Sequence, residues 1–525
     1  MNKVCLGSGS GCSRNSDPST DPDAIRDPLI AKATAITGAN GETLVIVTTT
    51  NIGYFLAYKL ENGGPNGIYD VRLRIAEATG VPSTNVVVVS DHSHNGPDTI
   101  GIWGGVTEDY MRITADAVVA AAVQAVDSRR PAVLSVAAVN QNGNPVPGVT
   151  LVESSAGYDK PANDPENGTP DNEFRLLVAK DADTGDRILT MMNYAPHATV
   201  INGEANHQVS GDWAAWGPQE AEAMFGGLGL AAIGSVGGTD WNKSGSGGDA
   251  KEAEARARLR TLLTFAEAAL QPVAGDAVRV ESTFIREAMA QPVLLANYKP
   301  GAPRNSGTDL DQLTDNDIRI DRSTLPPFLT GTVVGTYVSA VRIGDVFLST
   351  FPGEPFGDLE HALKGAGGVI GPRAHFLLGG ANDFFGYMVF KPETYAQLFQ
   401  TGFAWLAGCP DKDLYEAAGQ DAPAGCADHW TLMVSPSIGP HIVCSLQDAA
   451  ERIGFTAGDR GSECAVLTAL DNQAPPLESG HPLAGATAQR ESLALEESRA
   501  LADRCVALGA DLATCDALRE GVAVH

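Results

Sequence analysis

The chain has 525 residues, with 64 acidic and 36 basic side chains and a formal net charge of -28. Such an acidic excess argues against a nucleic-acid partner and against adhesion to anionic membranes, because both need a basic surface. The length exceeds what one compact core usually holds, so we expect a large domain with a smaller appendage. No apolar run is long enough to predict a transmembrane segment, and no apolar signal segment follows the first residues.

The order of patterns along the chain predicts an α/β fold, with a mixed sheet and helices packed on it. Residues 1–27 are rich in Gly, Ser, Asp and Pro and predict an irregular N-terminal segment. Strand-like and helical runs then alternate over residues 28–404, which predicts one catalytic-sized α/β domain. Residues 296–332 are polar and Pro-rich and predict a long surface loop. The predicted strands are 43–48, 85–90, 132–139, 188–193, 230–236, 346–351 and 374–378, and the predicted helices are 69–79, 107–128, 213–225 and 250–270.

Residues 405–525 predict a Cys-containing C-terminal region that is irregular at first and helical over 485–520. All eight cysteines lie towards the ends of the chain: Cys5, Cys12, Cys409, Cys426, Cys444, Cys464, Cys505 and Cys515. An even number in loop-rich terminal segments favours disulfides formed in an oxidising compartment, with Cys505 and Cys515 tying two short helices together. We therefore expect a secreted or periplasmic protein whose targeting segment is absent from this chain. The alternative is a cytosolic protein with eight reduced, buried thiols.

Five of the predicted strands run directly into polar motifs. These motifs contain His92 and His94, His197, Asp240, Glu354 and Tyr387. In α/β sheets, ligands and catalytic groups gather beyond the carboxyl ends of strands, so we expect one shared site with the metal at these ends. Zinc takes nitrogen and oxygen donors, and two histidines with a carboxylate make a plausible set.

His92 and His94 are two residues apart, directly after an apolar run. If the chain stays extended there, both imidazoles point to the same side. They are then two metal ligands, or one ligand and one base beside the metal's water. Each motif alone has an ordinary structural explanation: His197 as a hydrogen-bonded core residue, Glu354 as a solvated turn carboxylate and Tyr387 as a core aromatic. Only their conjunction predicts a metal hydrolase.

At these residues the sequence resembles the neutral/alkaline non-lysosomal ceramidase family, which hydrolyses the amide of N-acylsphingosines with a single zinc. Four motifs follow the family order. They are residues 74–82 with 85–86 and 92–99, residues 194–199, residues 351–356, and residues 382–387 with 391–395.

The resemblance implies one Zn²⁺ per chain, bound by His92, His197, Glu354 and Tyr387. It implies that His94 is not a ligand but the catalytic base beside the zinc-activated water. The chemistry is coherent, because zinc acidifies water and polarises the scissile carbonyl. A neutral histidine within reach can take the proton and later give it to the leaving amine.

The sequence departs from the family at recognition positions. Residues 140–144 match a family motif that supplies a substrate-contacting arginine, but they contain none. Asp240 stands where the family has a serine, so a serine nucleophile is missing, whereas attack by zinc-activated water needs none. Asp240 is instead a candidate substrate-binding residue for a cationic or hydroxylated group. Residues 405–525 also lack the pattern of short strands expected for the family's immunoglobulin-like C-terminal domain.

The hypothesis is a zinc-dependent amidohydrolase that cleaves a linear amide, most simply a ceramide-like N-acyl lipid of sphingolipid metabolism or a related acyl amide. One alternative is an esterase or lactonase on the same scaffold. The other is a non-catalytic binding protein on a degraded ceramidase scaffold, against which the survival of all four ligands and the base argues. A long apolar channel beside Asp240, Gly143 and Trp103 favours a lipid substrate, and a small polar pocket a water-soluble amide.

Overall fold

The structure is a computed structural model in which three mixed sheets carry helices. It describes residues 4–5, 15–16, 23–54, 66–99, 106–140, 145–149, 151–153, 171–201, 208–241, 247–288, 318–319, 333–365, 367–390, 438–461, 463–468 and 471. The described α-helices are α1 (Ile68–Thr79), α2 (Glu108–Asp127), α3 (Asp212–Phe225), α4 (Gly248–Ala268), α5 (Gly357–Lys364), α6 (Ile438–Arg452) and α7 (Glu463–Leu467). The described strands are β1 (Val4–Cys5), β2 (Asn15–Ser16), β3 (Ala31–Thr37), β4 (Thr43–Thr49), β5 (Val86–Ser90), β6 (Ala132–Val139), β7 (Leu151–Glu153), β8 (Phe174–Asp181), β9 (Arg187–Tyr194), β10 (Leu228–Ile233), β11 (Thr239–Trp241), β12 (Gln271–Pro272), β13 (Val278–Ala288), β14 (Ile318–Arg319), β15 (Val333–Ile343), β16 (Val346–Thr350), β17 (Glu354–Pro355), β18 (Val369–Ile370), β19 (Ala374–Leu378), β20 (Tyr387–Met388) and β21 (Thr456–Ala457).

Each of the three larger sheets contains a single parallel pair among its described strands. The N-terminal sheet has the order β3-β4-β5, with β4 and β5 parallel. The middle sheet has the order β10-β9-β8-β6-β12, with β9 and β10 parallel. The C-terminal sheet has the order β13-β15-β16-β19, with β14 beside β15 and with β16 and β19 parallel. The prediction of a mixed α/β architecture is therefore confirmed.

A pair of helices packs on each of the three sheets, and each pair covers its own cluster of buried apolar side chains. Helices α1 and α2 cover the N-terminal sheet, and α3 and α4 cover the middle sheet, where Trp213 and Trp216 are fully buried. Helices α5 and α6 pack on the C-terminal sheet around Leu359, Ile442 and Leu446. None of the helices in the described ranges combines the length and the apolar content that a bilayer span requires.

The predicted elements of the sheet region agree closely with the observed ones. The strands 132–139 and 374–378 have the predicted bounds, and the four predicted helices differ from α1 to α4 by at most two residues at an end. The strand predicted over 230–236 is β10, which ends earlier at Ile233, because residues Val236–Gly238 form a 3-10 turn. The predicted set lacks the four longer strands β3, β8, β13 and β15, which run into no polar motif, and it also lacks the described strands of two or three residues.

The C-terminal region contains more regular structure than its composition predicts. Helix α6 has 15 residues, and Cys444 within it forms a disulfide with Cys464 in α7. This bond agrees with the prediction of disulfides near the chain ends. The predicted helices over 485–520, with Cys505 and Cys515, lie outside the described residues, as does most of the loop predicted over 296–332.

The carboxyl ends of the parallel pairs meet and hydrogen-bond to one another. The Ser90 N–H at the end of β5 donates to the Gly380 carbonyl beyond β19, at 3.0 Å. The Gly379 N–H donates to the Ile233 carbonyl at the end of β10, also at 3.0 Å. All three sheets therefore place their parallel-strand ends at one location, as predicted for a shared site.

Candidate metal centre

Three imidazoles and one carboxylate converge where these strand ends meet. The ring centroids of His92, His94 and His197 lie 5.1, 5.2 and 5.4 Å apart pairwise. One ring nitrogen of each lies within 4.8 Å of the other two, a spacing that can hold a metal ion. The Glu354 Oε2 atom lies 3.1 Å from Nε2 of His92 and 3.2 Å from Nε2 of His197. His92, His197 and Glu354 are buried.

The hydrogen bonds on the far side of the rings show which nitrogens face inward. Nδ1 of His92 lies 2.7 Å from the Ile52 carbonyl, and Nδ1 of His197 lies 3.2 Å from the Thr239 carbonyl. A carbonyl only accepts, so each Nδ1 carries a proton and each neutral ring directs the lone pair of Nε2 at Glu354. These acceptor atoms repel one another unless a proton or a metal cation lies between them. Two imidazole nitrogens and a carboxylate oxygen are donors that zinc accepts, so the residues fit that metal.

The loop that carries His92 is strained and held by Asp91. His92 has φ 55°, in the left-handed region that a side chain rarely adopts. The Asp91 carboxylate accepts hydrogen bonds from the backbone N–H groups of Asn51 and Ser93, at 3.1 and 3.2 Å. The prediction of an extended chain through His92 and His94 is therefore wrong. This turn, and not the alternation of a strand, brings their rings together edge-on at 89°.

A second loop holds His197 against the first. The His197 N–H donates to the Thr239 carbonyl at 2.9 Å, so that carbonyl accepts both the backbone and the ring of the same histidine. The His94 N–H donates to the Ala198 carbonyl at 3.1 Å, which joins the loop after β5 to the loop after β9. Buried Trp213 fixes the neighbouring backbone by donating from Nε1 to the Pro196 carbonyl at 2.8 Å.

Glu354 and Tyr387 lie side by side in a short parallel ladder. Strands β17 and β20 pair Glu354 with Tyr387, and the Glu354 N–H donates to the Gly386 carbonyl at 2.7 Å. Tyr387 is also buried, with its ring centroid 6.0 Å from that of Phe356. The structure thus places the fourth predicted ligand next to the third.

The charges within the cluster shift the pKa values of its members. Burial alone would raise the pKa of Glu354, but His92 and His197 outweigh it and hold that pKa well below its usual value of 4.5. Burial alone would lower the pKa of His92, but Glu354 outweighs it and raises that pKa above 6.5. Burial raises the pKa of Asp91 to about 7, against the effect of its hydrogen bonds.

His94 differs from the other two histidines in exposure. It is half-buried, whereas His92 and His197 are buried. Its ring centroid nevertheless lies only 5.1 Å from that of His92 and 5.4 Å from that of His197. Both of its ring nitrogens are themselves buried. The position therefore allows either role predicted for it, a third nitrogen ligand or a base directly beside the other two rings.

Asp240 lies at the margin of the cluster, on β11. It is half-buried and accepts a hydrogen bond from Thr199 Oγ1 at 2.7 Å, so it is oriented by the same loop that carries His197. Asn140, where the family arginine motif begins, has φ 60° and accepts from the Val146 N–H at 2.7 Å. Gly143 and Trp103 lie outside the described residues, so the channel predicted beside them stays a prediction.

Several residues that support the site carried no assigned role in the sequence. Ile52 and Thr239 hold the two imidazoles, and Asp91 holds the loop of His92, as described above. Asn193 and Asn382 hydrogen-bond across sheet junctions beneath the site. Asp91 precedes the His-Ser-His motif and could have been singled out from that adjacency. The asparagines act through distant backbone partners that no local pattern reveals.

A cleft elsewhere in the molecule carries none of the candidate residues. It has a volume of about 980 Å³ and is lined by Arg187 and Leu189 at the start of β9 and by Leu228 at the start of β10. His197 and Asp240 follow the other ends of these strands. The cleft and the imidazole cluster therefore lie at opposite ends of strands β9 and β10 of the middle sheet.

Comparison with known proteins places this arrangement in a known fold. No family model and no curated protein matches the sequence. Among solved structures, a ceramidase complexed with C2 superposes with a TM-score of 0.57 at 17% identity, covering 88% of this chain and 76% of that one. The neutral ceramidase from Pseudomonas aeruginosa gives a TM-score of 0.56 at 17% identity, covering 88% and 77% of the two chains. The resemblance noted in the sequence is thus confirmed in three dimensions, and the chain has the neutral ceramidase fold.

Proposed function

We propose that this protein is a zinc-dependent amidohydrolase of the ceramidase type. The observation that carries the proposal is the inward-facing set of His92 Nε2, His197 Nε2 and Glu354 Oε2, at 3.1 and 3.2 Å. Its two histidines are fixed by backbone carbonyls, as metal-binding histidines usually are. The ceramidase fold adds support, because these three residues lie in the motifs that carry the sequence resemblance.

In this proposal His92, His197, Glu354 and Tyr387 hold one Zn²⁺. Glu354 offsets part of the positive charge, and the pairing of Tyr387 with Glu354 in β20 and β17 supports a phenol donor beside the carboxylate. When bound, the metal supplies a Lewis acid that polarises the scissile carbonyl and makes water more acidic. The carbonyls of Ile52 and Thr239 keep the two imidazoles in the tautomer that such binding requires, and Asp91 fixes the backbone of the loop that carries His92.

His94 is proposed as the base. Amide hydrolysis requires one proton to be taken from water as it attacks the carbonyl carbon and one to be given to the departing nitrogen as the C–N bond breaks. The His94 ring lies beside those of His92 and His197, with centroids 5.1 and 5.4 Å away, and we assign both transfers to it because of this position. The products are a carboxylic acid and an amine.

The proposed substrate is a ceramide-like N-acyl lipid or a related acyl amide. The ceramidase fold and the four ordered motifs support this class. Asp240, oriented by Thr199 at 2.7 Å, is a proposed contact for a hydroxyl or ammonium group of the amine portion.

We further propose that residues 28–404 form the catalytic domain, that residues 405–525 are appended to it, and that the protein works in an oxidising compartment. Helix α6 of the appended residues completes the apolar cluster of the C-terminal sheet, so this part of them belongs to the catalytic core. The disulfide between Cys444 and Cys464 joins α6 to α7. Disulfides persist in secreted and periplasmic proteins, which supports export.

The ligand assignment is tested by metal analysis of purified variants. We expect about one zinc per wild-type chain, by analogy with single-zinc hydrolase sites. We expect zinc to be lost from His92→Ala and His197→Ala, and to be retained by His94→Ala together with a loss of hydrolysis of about 100-fold or more. Thr190→Val, a buried change on β9 away from the cluster, is the control. Zinc retained in full by His92→Ala or His197→Ala contradicts the assignment, and zinc lost from His94→Ala makes His94 a ligand.

The reaction is tested with matched substrates. Acyl amides of increasing chain length should be compared with the corresponding esters, using the zinc-loaded wild-type protein. Faster turnover of the amides, growing with acyl length, is the expected result. Turnover of esters alone favours an esterase or lactonase, and no turnover of either class favours a binding protein.

A further inference from the structure

Asn193 is a fully buried polar residue that connects strands of two different sheets. Its side-chain Nδ2 lies 2.8 Å from the Leu377 carbonyl on β19, and 3.1 and 3.3 Å from the Ala232 and Ile233 carbonyls on β10. Three carbonyls therefore share the two N–H groups of one amide. The bonds join β9 and β10 of the middle sheet to β19 of the C-terminal sheet.

The orientation of this amide is fixed from the opposite side. Arg175 Nη1 donates to Asn193 Oδ1 at 3.3 Å. Arg175 is itself fully buried and held by Asp171 and Glu360, each at 3.0 Å. Since the guanidinium only donates, Oδ1 must face it, and the N–H groups must face the carbonyls.

The three strands that meet at Asn193 lead directly into the candidate centre. His197 follows β9, Thr239 with its carbonyl on the His197 ring follows β10, and Tyr387 beside Glu354 follows β19. His197 thus follows a strand of the middle sheet and Glu354 follows a strand of the C-terminal sheet, so the distance between them depends on how the two sheets are joined. Asn193 connects the two sheets just before their loops begin.

We propose that Asn193 is a positioning residue that sets the placement of His197 relative to Glu354 and Tyr387, and thereby the affinity for the metal. This inference rests on the proposed zinc site. It assigns Asn193 no contact with substrate or metal. Its effect is transmitted through the backbone of β9, β10 and β19.

The test compares zinc affinity in Asn193→Asp, Asn193→Ala and Thr190→Val. Asn193→Asp keeps the size and the acceptor for Arg175 but removes the N–H donors, and Asn193→Ala removes the amide without adding charge. Thr190 is equally buried on the same strand, and its Oγ1 makes no hydrogen bond within the described structure. Zinc affinity is measured by competition with a chromogenic chelator, and site geometry by the visible spectrum of the Co²⁺-substituted proteins.

We expect zinc affinity to fall by about 10-fold or more in both Asn193 variants, as for residues that orient metal ligands, and the Co²⁺ spectrum to change. Thr190→Val should bind like the wild type. Asn193 variants that melt at a lower temperature but keep the wild-type affinity and spectrum would overturn the inference, as would a failure of both to fold. A wild-type protein that binds zinc without cleaving amides contradicts the proposed function alone. A wild-type protein that binds no zinc contradicts both, and this is seen before any variant is compared.

Discussion

At the residue scale, His92 and Glu354 form a buried pair whose charges depend on pH. Their facing atoms are 3.1 Å apart, and each shifts the pKa of the other in the direction that favours an ion pair. A single proton thus occupies the space that we assign to a metal cation. Protons and zinc compete for the same nitrogen. The stability of the metal-free protein and that of the zinc-loaded protein should therefore depend on pH in opposite directions.

The metal-free protein provides a direct test. The lowered pKa of Glu354 stabilises the fold above pH 4.5, and this contribution is lost as pH falls through the folded-state value. The raised pKa of His92 stabilises the fold below pH 6.5, and this contribution is lost as pH rises through the folded-state value. When a chelator keeps the protein metal-free, the melting temperatures of the wild type and of Glu354→Gln should therefore differ most between pH 4.5 and 6.5.

A matched control for this pH effect is Glu281→Gln. Glu281 pairs with Arg452 at 2.7 Å, on the partly exposed surface and with no histidine in the pair. Arginine stays charged throughout, so the effect of Glu281→Gln should not decline between pH 6.5 and 8.5. A melting difference for Glu354→Gln that grows over that interval would contradict the assigned pairing.

At the element scale, the 3-10 turn over Val236–Gly238 packs against β17. A Cβ atom on Gly237 would lie 2.6 Å from the Glu354 carbonyl oxygen and 2.6 Å from the Phe356 ring. A Cβ atom on Gly238 would meet the Phe356 ring alone, at 2.7 Å. The turn after β10 is therefore in direct contact with the backbone of a proposed ligand, and only glycine allows that approach.

Gly237→Ala should displace β17 and weaken the site. We expect a loss of about 1–3 kcal/mol in the free energy of unfolding, as for other overpacked positions, with zinc affinity reduced in parallel. Gly238→Ala should have a smaller effect on zinc, because a phenyl ring moves more easily than backbone. Chelator competition and thermal melts measure both. Equal zinc affinities for Gly237→Ala and wild type would show that β17 is not constrained by this turn.

The elements differ in how far the sequence could predict them. The run 86–89 consists of four buried, β-branched valines, so such strands and the polar residues after them could be predicted from local pattern. The grouping of strands into three sheets could not, since strand pairing depends on contacts far apart in the chain. The left-handed φ of His92 was also beyond local pattern, because Asp91, Asn51 and Ile52 impose it together.

At the scale of the whole molecule, the net charge of -28 governs encounters with substrate surfaces. The proposed lipid amide would reach the site from a micelle, a vesicle or a carrier. An anionic surface repels a strongly acidic protein, and salt screens the repulsion over about 10 Å at 0.1 M. If the proposed substrate is a lipid, the acidic surface favours neutral or zwitterionic lipid surfaces as its source.

This preference is testable with one substrate in two environments. At low salt, hydrolysis of an acyl amide in zwitterionic vesicles should exceed that in anionic vesicles by about 10-fold, in line with electrostatic effects on association rates. The difference should shrink as sodium chloride is added. A short water-soluble amide is the control, and its rate should be the same with either vesicle present. Preferential hydrolysis in anionic vesicles would show that a local basic patch outweighs the net charge.

The assembly of one site from three sheets has a consequence for the stability and abundance of the protein. His92, His197, Glu354 and Tyr387 are separated by long stretches of chain, so an unfolded chain does not bring them together. A metal bound by them stabilises the folded form by mass action, by about 2.7 kcal/mol when free metal is at 100 times its dissociation constant. Scarcity of the metal would then expose the protein to unfolding and proteolysis. The abundance of the protein would thus follow the metal supply of its surroundings, independently of any effect on turnover.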